Sequence, residues 1–478
     1  MLLKEVPAAI ARLHITMTNK ITFNKDLIRR YDASGPRYTS YPTAVQFSDV
    51  FTADDYIECA KQSNGEPIPA PLSLYLHIPF CDSICYYCGC SKIITKDKSK
   101  AKRYIQLLKK EIRLQGALFA KDREVIQIHW GGGTPTFLSD NEIYEIIECI
   151  RENFNLPADH LIDFGIEVDP RTVDHARLQN LNNIGFNRIS FGVQDFDYCV
   201  QESVNRLQST DLIEQHIKDA RSIHYKSINI DLMYGLPKQT VESFNKTLDT
   251  VIQLNPDRIA IYNYAHLPET FKPQRRINED ELPSAEEKLS ILNLCIDKLQ
   301  NAGYVYIGMD HFAKESDALV QAQLQGTLHR SFQGYSTHAD CDIIAMGITA
   351  ISRIGENYSQ NVRTVDEYEA RLERNLIPVF RGIELEGDDV LRGEIINQLM
   401  CNNNLDIENI ERKWGIDFKV YFKSPLINLQ KMADDGLVKI SRKKITITKT
   451  GRLLARSICM QFDRYLQEKN LNQFSRLI

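Results

Sequence analysis

Cys81, Cys85 and Cys88 lie in the segment CDSICYYCGC, close enough on one short loop for three thiolates to converge on a single small object. An iron-sulfur cubane fits such a loop. Four thiolates close the cluster of an ordinary four-iron ferredoxin, and three leave one iron open to an external ligand. Two other occupants would use the same atoms. Zinc accepts thiolates, with Cys90 or His77 as a fourth donor, but structural zinc sites join two ligand pairs across a spacer, and no second pair follows here. A redox dithiol needs only a Cys-x-x-Cys pair. Cys90, two residues beyond Cys88, is read as a neighbour rather than a further ligand. The remaining cysteines are scattered singly and the total of eleven is odd, so there is no disulfide framework. Thiols kept reduced point to the cytosol.

Other chemistry-bearing residues follow short β-rich runs. Gly131, Gly132 and Gly133 would let backbone approach a ligand, although a glycine run after a strand is more often a tight turn. Glu167 and Asp231 could accept hydrogen bonds from ribose hydroxyls or a ligand amine. Gln194 and Arg206 could receive polar and carboxylate groups, the arginine through a forked pair.

The elements that must position these residues alternate from residue 72 onward. Strands are expected at 72–78, 125–130, 164–168, 188–194, 227–235 and 258–265. Between them run amphipathic helices such as NEIYEIIECIREN and VESFNKTLDTVIQL. Six βα units are too few for a closed eight-stranded barrel, so the pattern predicts an α/β fold with an open, partial (β/α)6 barrel of the TIM type. In such folds functional groups gather at the carboxyl ends of the strands. The cysteine loop, the glycine run, Glu167, Gln194, Gly235 and His266 all sit at such ends. The expected organisation is an extension over 1–20 that could be disordered, an N-terminal arm or lid over 21–70, and a catalytic domain over 71–310. A connecting region over 311–378 and a mostly helical C-terminal domain over 379–478 complete it.

A net charge of −5 and a pI near 6.2 give no sign of the basic surface that a phosphate backbone needs, so nucleic acid is not an expected partner. No run of 18 apolar residues marks a membrane span. The lysines from Lys96 to Lys102 read as an ordinary solvated helix face.

Taken together, LYLHIPFCDSICYYCGC, HWGGGTPTFL, IEVDPR, GVQDF, INIDLMYGLPKQT, NYAHLP and MDHFA resemble the oxygen-independent coproporphyrinogen III oxidases, radical S-adenosylmethionine enzymes of haem biosynthesis. SGPRYTSYPTA in the arm and GRLLARSICM near the end carry the resemblance from about Tyr31 to Ile478. It implies a radical S-adenosylmethionine core with a 4Fe-4S cluster on Cys81, Cys85 and Cys88 and two molecules of S-adenosylmethionine. Tyr75, Gly132, Glu167 and Ile351 would contact the first. Tyr87, Gly133, Thr134, Gln194, Arg206, Asp231 and Ala265 would contact the second. Tyr87 stands where the family carries phenylalanine, and STHADCD departs from a more glutamine- and glycine-like pattern, which leaves His338 on the surface without a role.

The implied reaction converts two propionate side chains of coproporphyrinogen III to vinyl groups and yields protoporphyrinogen IX in the cytoplasm. Hydrogen is taken from an unactivated carbon by a 5'-deoxyadenosyl radical. Arg37, Tyr38, Arg275 and Arg276 are candidates to hold propionates, equally able to bind other parts of the fold. A flavodoxin or ferredoxin is the expected electron donor and a monomer the expected state. A haem chaperone on the same scaffold, or a porphyrin-acting radical methyltransferase, are the rival readings; the arm and Cys90 argue for the oxidase branch.

Overall fold

The computed structural model describes residues 20–468; the extension expected over 1–20 lies, apart from Lys20, outside them. Twelve strands form one open sheet: β1 (Leu72–Ile78), β2 (Val125–Gly132), β3 (Asp163–Val168), β4 (Arg188–Gln194), β5 (Ser227–Tyr234), β6 (Arg258–Asn263), β7 (Tyr304–Gly308), β8 (His311–Lys314), β9 (Asp342–Met346), β10 (Ile351–Ile354), β11 (Asn357–Asn361) and β12 (Val379–Glu384). Their order is β12-β11-β10-β9-β1-β2-β3-β4-β5-β6-β8-β7. From β9 to β6 all pairs are parallel. Both flanks are antiparallel. The six predicted strands therefore form the barrel-like core, and β9 adds a seventh parallel strand beside β1.

Strand alternation sorts the side chains. In β4, Ile189, Phe191 and Val193 are buried. Each is worth about 1.5–3 kcal/mol of hydrophobic stabilisation. Arg188, Ser190, Gly192 and Gln194 instead line cavities on the sheet's concave side. The covering helices begin where the sequence caps them. Capping boxes at Ser139 and Thr240 start Asp140–Asn153 and Val241–Leu254. Each cap satisfies amide donors that a helix leaves open.

Val379, the expected start of the C-terminal domain, is instead the first residue of β12 in the main sheet, and residues 311–378 supply four more of its strands. A second apolar core gathers Tyr38 and Tyr41 of the arm, Val305, Ile307 and Leu319, helix Gly387–Asn402 and the hairpin Val438–Ile440 and Lys444–Ile447. The arm is sewn to it. Arg30 donates to Asp435 at 2.6 Å, Arg456 to the Pro36 carbonyl at 3.0 Å, and the Arg464 amide to the Tyr41 hydroxyl at 3.0 Å. Among the described residues no helix is long and apolar enough to cross a membrane.

Candidate active site

The cysteine loop leaves β1 and is tied down at several of its carbonyls. Phe80–Cys81 pairs with Ile93–Ile94, and the Thr95 amide donates to the Cys81 carbonyl at 3.0 Å. Asn205 donates to the Ile84 carbonyl at 2.7 Å, and Gln274 to that of Tyr87 at 3.1 Å. Lys92 Nζ reaches the Cys88 carbonyl at 2.9 Å and that of Cys90 at 3.3 Å. A loop this fixed presents its side chains in one arrangement, and all eleven cysteines are free thiols.

Cys81, Cys85 and Cys88 open on one cavity of about 510 Å³ at the carboxyl ends of β2 to β5. The same cavity is lined by Tyr87, Gly132, Gly133 and Thr134, and from the far side by Glu167, Gln194, Arg206 and Asp231. Most of the residues singled out by sequence thus meet in one place. Tyr75 and Ile351 do not line it; Tyr75 stacks on His129, whose Nε2 lies 3.2 Å from Glu167. Ala265 and Arg37 line a separate cavity between the arm and β6.

Electrostatics around the thiols are uneven. Thr134 Oγ1 lies 3.3 Å from Cys81 Sγ, and Arg206 Nη1 donates toward Cys85 Sγ at 3.6 Å. Burial pushes the Cys81 thiol up to about 11. The hydrogen bond from Cys90 draws Cys88 down, with help from the Lys92 ammonium and against the effect of burial. Asp231 accepts from Ser190 and Asn229, each at 2.8 Å, and burial raises its carboxyl to about 6.

The glycine run is closely packed by the protein itself. A Cβ on Gly131 would stand 2.9 Å from the Glu167 carboxylate, and one on Gly133 would stand 2.8 Å from the Pro79 carbonyl. Gly132 has φ +114°, and its Cβ would meet the His77 ring at 2.7 Å. The missing side chains let the Cys81 loop and Glu167 pack directly on the end of β2.

Two residues inside IEVDPR were passed over by sequence reasoning. Asp169 accepts from Arg171 and, at 2.7 Å, from Arg206 Nη1, while Arg206 Nη2 donates to the Gly192 carbonyl at 2.5 Å. Burial alone would raise the Asp169 carboxyl, but the bonds from Arg171 and the charge of Arg206 hold it below the usual range. A carboxylate just past a strand, followed by Pro-Arg, was the available signal. Tyr38, expected among the propionate-binding candidates, is instead 5% exposed and donates to Asp463 at 3.0 Å, because the arm packs into the C-terminal core. Arg37 lies 3.5 Å from Asp310, Arg275 donates to the Pro268 carbonyl, and Arg276 lies over the Tyr86 ring. His338 is not a free surface group; its Nε2 sits 3.2 Å from Asp163 in β3.

The donor set fits an iron-sulfur cluster. Three thiols spread around a cavity, with Arg206, Lys92 and Thr134 beside the sulfurs or their backbone, suit a larger anionic group.

Residues 75–251 match the Radical SAM superfamily, and residues 385–454 match the HemN C-terminal domain. An oxygen-independent coproporphyrinogen III oxidase of Pseudomonas aeruginosa is 49% identical over 462 residues, covering 97% of this chain and 100% of its own length. That of Escherichia coli is 47% identical over 96% of this chain and 99% of its own. The solved structure of the Escherichia coli coproporphyrinogen III oxidase, described as a radical SAM enzyme, superposes with a TM-score of 0.88 at 46% identity. It covers 93% of this chain and all of that one.

Proposed function

The chain belongs to the oxygen-independent coproporphyrinogen III oxidases of the radical SAM superfamily, and on that premise we propose the reaction and the residues that serve it. The reaction is oxidative decarboxylation of two propionates of coproporphyrinogen III to vinyl groups, giving protoporphyrinogen IX in haem biosynthesis. The observation that carries this reading is the single cavity in which Cys81, Cys85 and Cys88 face the ends of β2 to β5.

Cys81, Cys85 and Cys88 would hold a 4Fe-4S cluster. When bound, the cluster and S-adenosylmethionine supply a 5'-deoxyadenosyl radical able to take hydrogen from an unactivated carbon. Tyr75, Gly132, Glu167 and Ile351 serve the first S-adenosylmethionine. Tyr87, Gly133, Thr134, Gln194, Arg206 and Asp231 serve a second, with Ala265, whose carbonyl shares Gln274 with that of Tyr87, at the edge of the neighbouring cavity. Arg206 is fixed by Asp169 and the Gly192 carbonyl, so its guanidinium enters the cavity already oriented. The Asp231 carboxyl, raised to about 6 by burial, is ionised at neutral pH and offers an acceptor to a ligand hydroxyl or amine. Glu167, held by His129, offers an acceptor on the wall between this cavity and a smaller one inside the sheet. Arg37, beside the arm's own cavity, remains the best placed of the propionate-binding candidates. The enzyme works in the cytoplasm as a monomer, fed by a flavodoxin or ferredoxin.

Anaerobic reconstitution followed by assay with coproporphyrinogen III tests this. Vinyl product accompanied by methionine is expected, and Cys85→Ala should lose both iron and turnover. Stable haem binding without turnover, or a methylated product, would overturn it.

A further inference from the structure

A lysine run at a helix start is ordinarily a solvated face, and the sequence supports no more than that for Lys96–Lys102. The fold places the run against the cysteine loop. Ile93 and Ile94 pair with Phe80 and Cys81, the Thr95 amide bonds the Cys81 carbonyl, and Lys92 bridges the carbonyls of Cys88 and Cys90. Lys98 crosses to Asp82 at 3.3 Å, and the helix Ser99–Gly116 then carries the strap away. Lys96, Lys100 and Lys102 are exposed and, among the described residues, form no ion pair within 4.0 Å; the one acid of the run, Asp97, accepts from Ser99 and keeps its charge near Lys100, so the run stays positive in sum. Ile94, 40% exposed, sits beside them as an apolar contact point. On a chain of net charge −5, this is a local positive face around the outer edge of the site.

We infer that residues 92–102 form the docking face for a small acidic protein that carries single electrons to the cysteine site; this rests on the function proposed above. One electron crosses per encounter: the carrier is oxidised, the cluster that the cysteines would hold is reduced by that same electron, and no bond or proton moves at the surface. Opposite charge steers the encounter and fixes its orientation, and salt weakens it.

The test is calorimetric binding of oxidised flavodoxin to the reconstituted protein at low salt. K96E/K100E/K102E should raise Kd about tenfold or more, with the gap closing as ionic strength rises. K96Q/K100Q/K102Q should shift Kd the same way by less, which keeps the test decisive where charge reversal harms folding. Turnover with reduced flavodoxin should fall in parallel while dithionite-driven turnover holds. An unchanged Kd at low salt, or native binding indifferent to salt, would overturn the docking face. A native protein that binds flavodoxin through these lysines but makes no vinyl product with dithionite would fault the proposed reaction and leave the face standing.

Discussion

The polar groups gathered around Glu111 and those around Asp231 and Arg206 differ in what is left over. Glu111, on the helix behind β1 and β9, accepts from the Gly347 amide at 2.8 Å, from Asn361 at 2.7 Å and from the Tyr368 hydroxyl. Tyr104 completes the set, donating to the His77 carbonyl at 2.8 Å and accepting from the Ile348 amide at 3.1 Å. All the donors around Glu111 come from the protein, so the group locks the loop after β9 to the helix. Asp231 and Arg206 are also held by neighbours, but both keep an edge on the cavity of the cysteines. Polar groups consumed from within support the frame; polar groups held yet open to a cavity are where a ligand belongs.

The largest expected effect tests the open side. Arg206→Lys removes the fork that joins Asp169, the Gly192 carbonyl and the Cys85 sulfur. Turnover should fall by about two orders of magnitude with iron content kept, because a lysine cannot make the planar pair. Steady-state rates alongside iron analysis check this; turnover within about threefold of native would erase the distinction between the two regions. On the closed side, Glu111→Ala leaves buried donors unpaired and should cost about 3 kcal/mol in denaturant unfolding. The folded fraction should still bind S-adenosylmethionine, and a lost affinity at full stability would place Glu111 among the ligand-binding groups.

Two smaller effects depend on pH. The Asp231 carboxyl, raised to about 6, is protonated below that pH, so S-adenosylmethionine affinity should weaken as pH falls from 7 to 5, by about tenfold if the bond needs the carboxylate. Asp231→Asn should abolish that slope; an equal slope in the variant would assign it elsewhere. Burial raises Glu111 to about 7, above its ordinary carboxylate value, so its stabilising contribution is full at acid pH and is lost as pH rises through 7. The melting temperature of the native protein relative to Glu111→Gln should therefore decline by a few degrees between pH 5 and 8. A constant difference would mean that this carboxyl does not titrate there.

The parallel core was legible because its strands are continuous β-branched and aromatic runs set between amphipathic helices; β1 and β4 begin and end at the expected residues. The flanks were not. β9 is a five-residue run, DIIAM, with no helix between it and β10, and β10 to β12 are only four to six residues long, β11 buried throughout, so no alternating period marks them. The sequence singles out the three cysteines and Arg206 by residue type, and the fold brings them to one cavity. The site was unreadable where the role arises from contact. Asp169 matters because Arg206 folds onto it, Tyr38 gives its hydroxyl to the C-terminal core, and the lysine strap gains meaning only from its pairing with Cys81.

The central claim is that three sulfurs hold a multi-iron group while leaving it open to a ligand. Metal and sulfide analysis of anaerobically reconstituted protein, with electron paramagnetic resonance of the reduced form before and after adding S-adenosylmethionine, tests it most directly. Iron and sulfide in equal amounts, about four of each per chain, and a spectrum that shifts on addition are predicted. One zinc per chain bound through these thiols, or a cluster signal indifferent to S-adenosylmethionine, would contradict it.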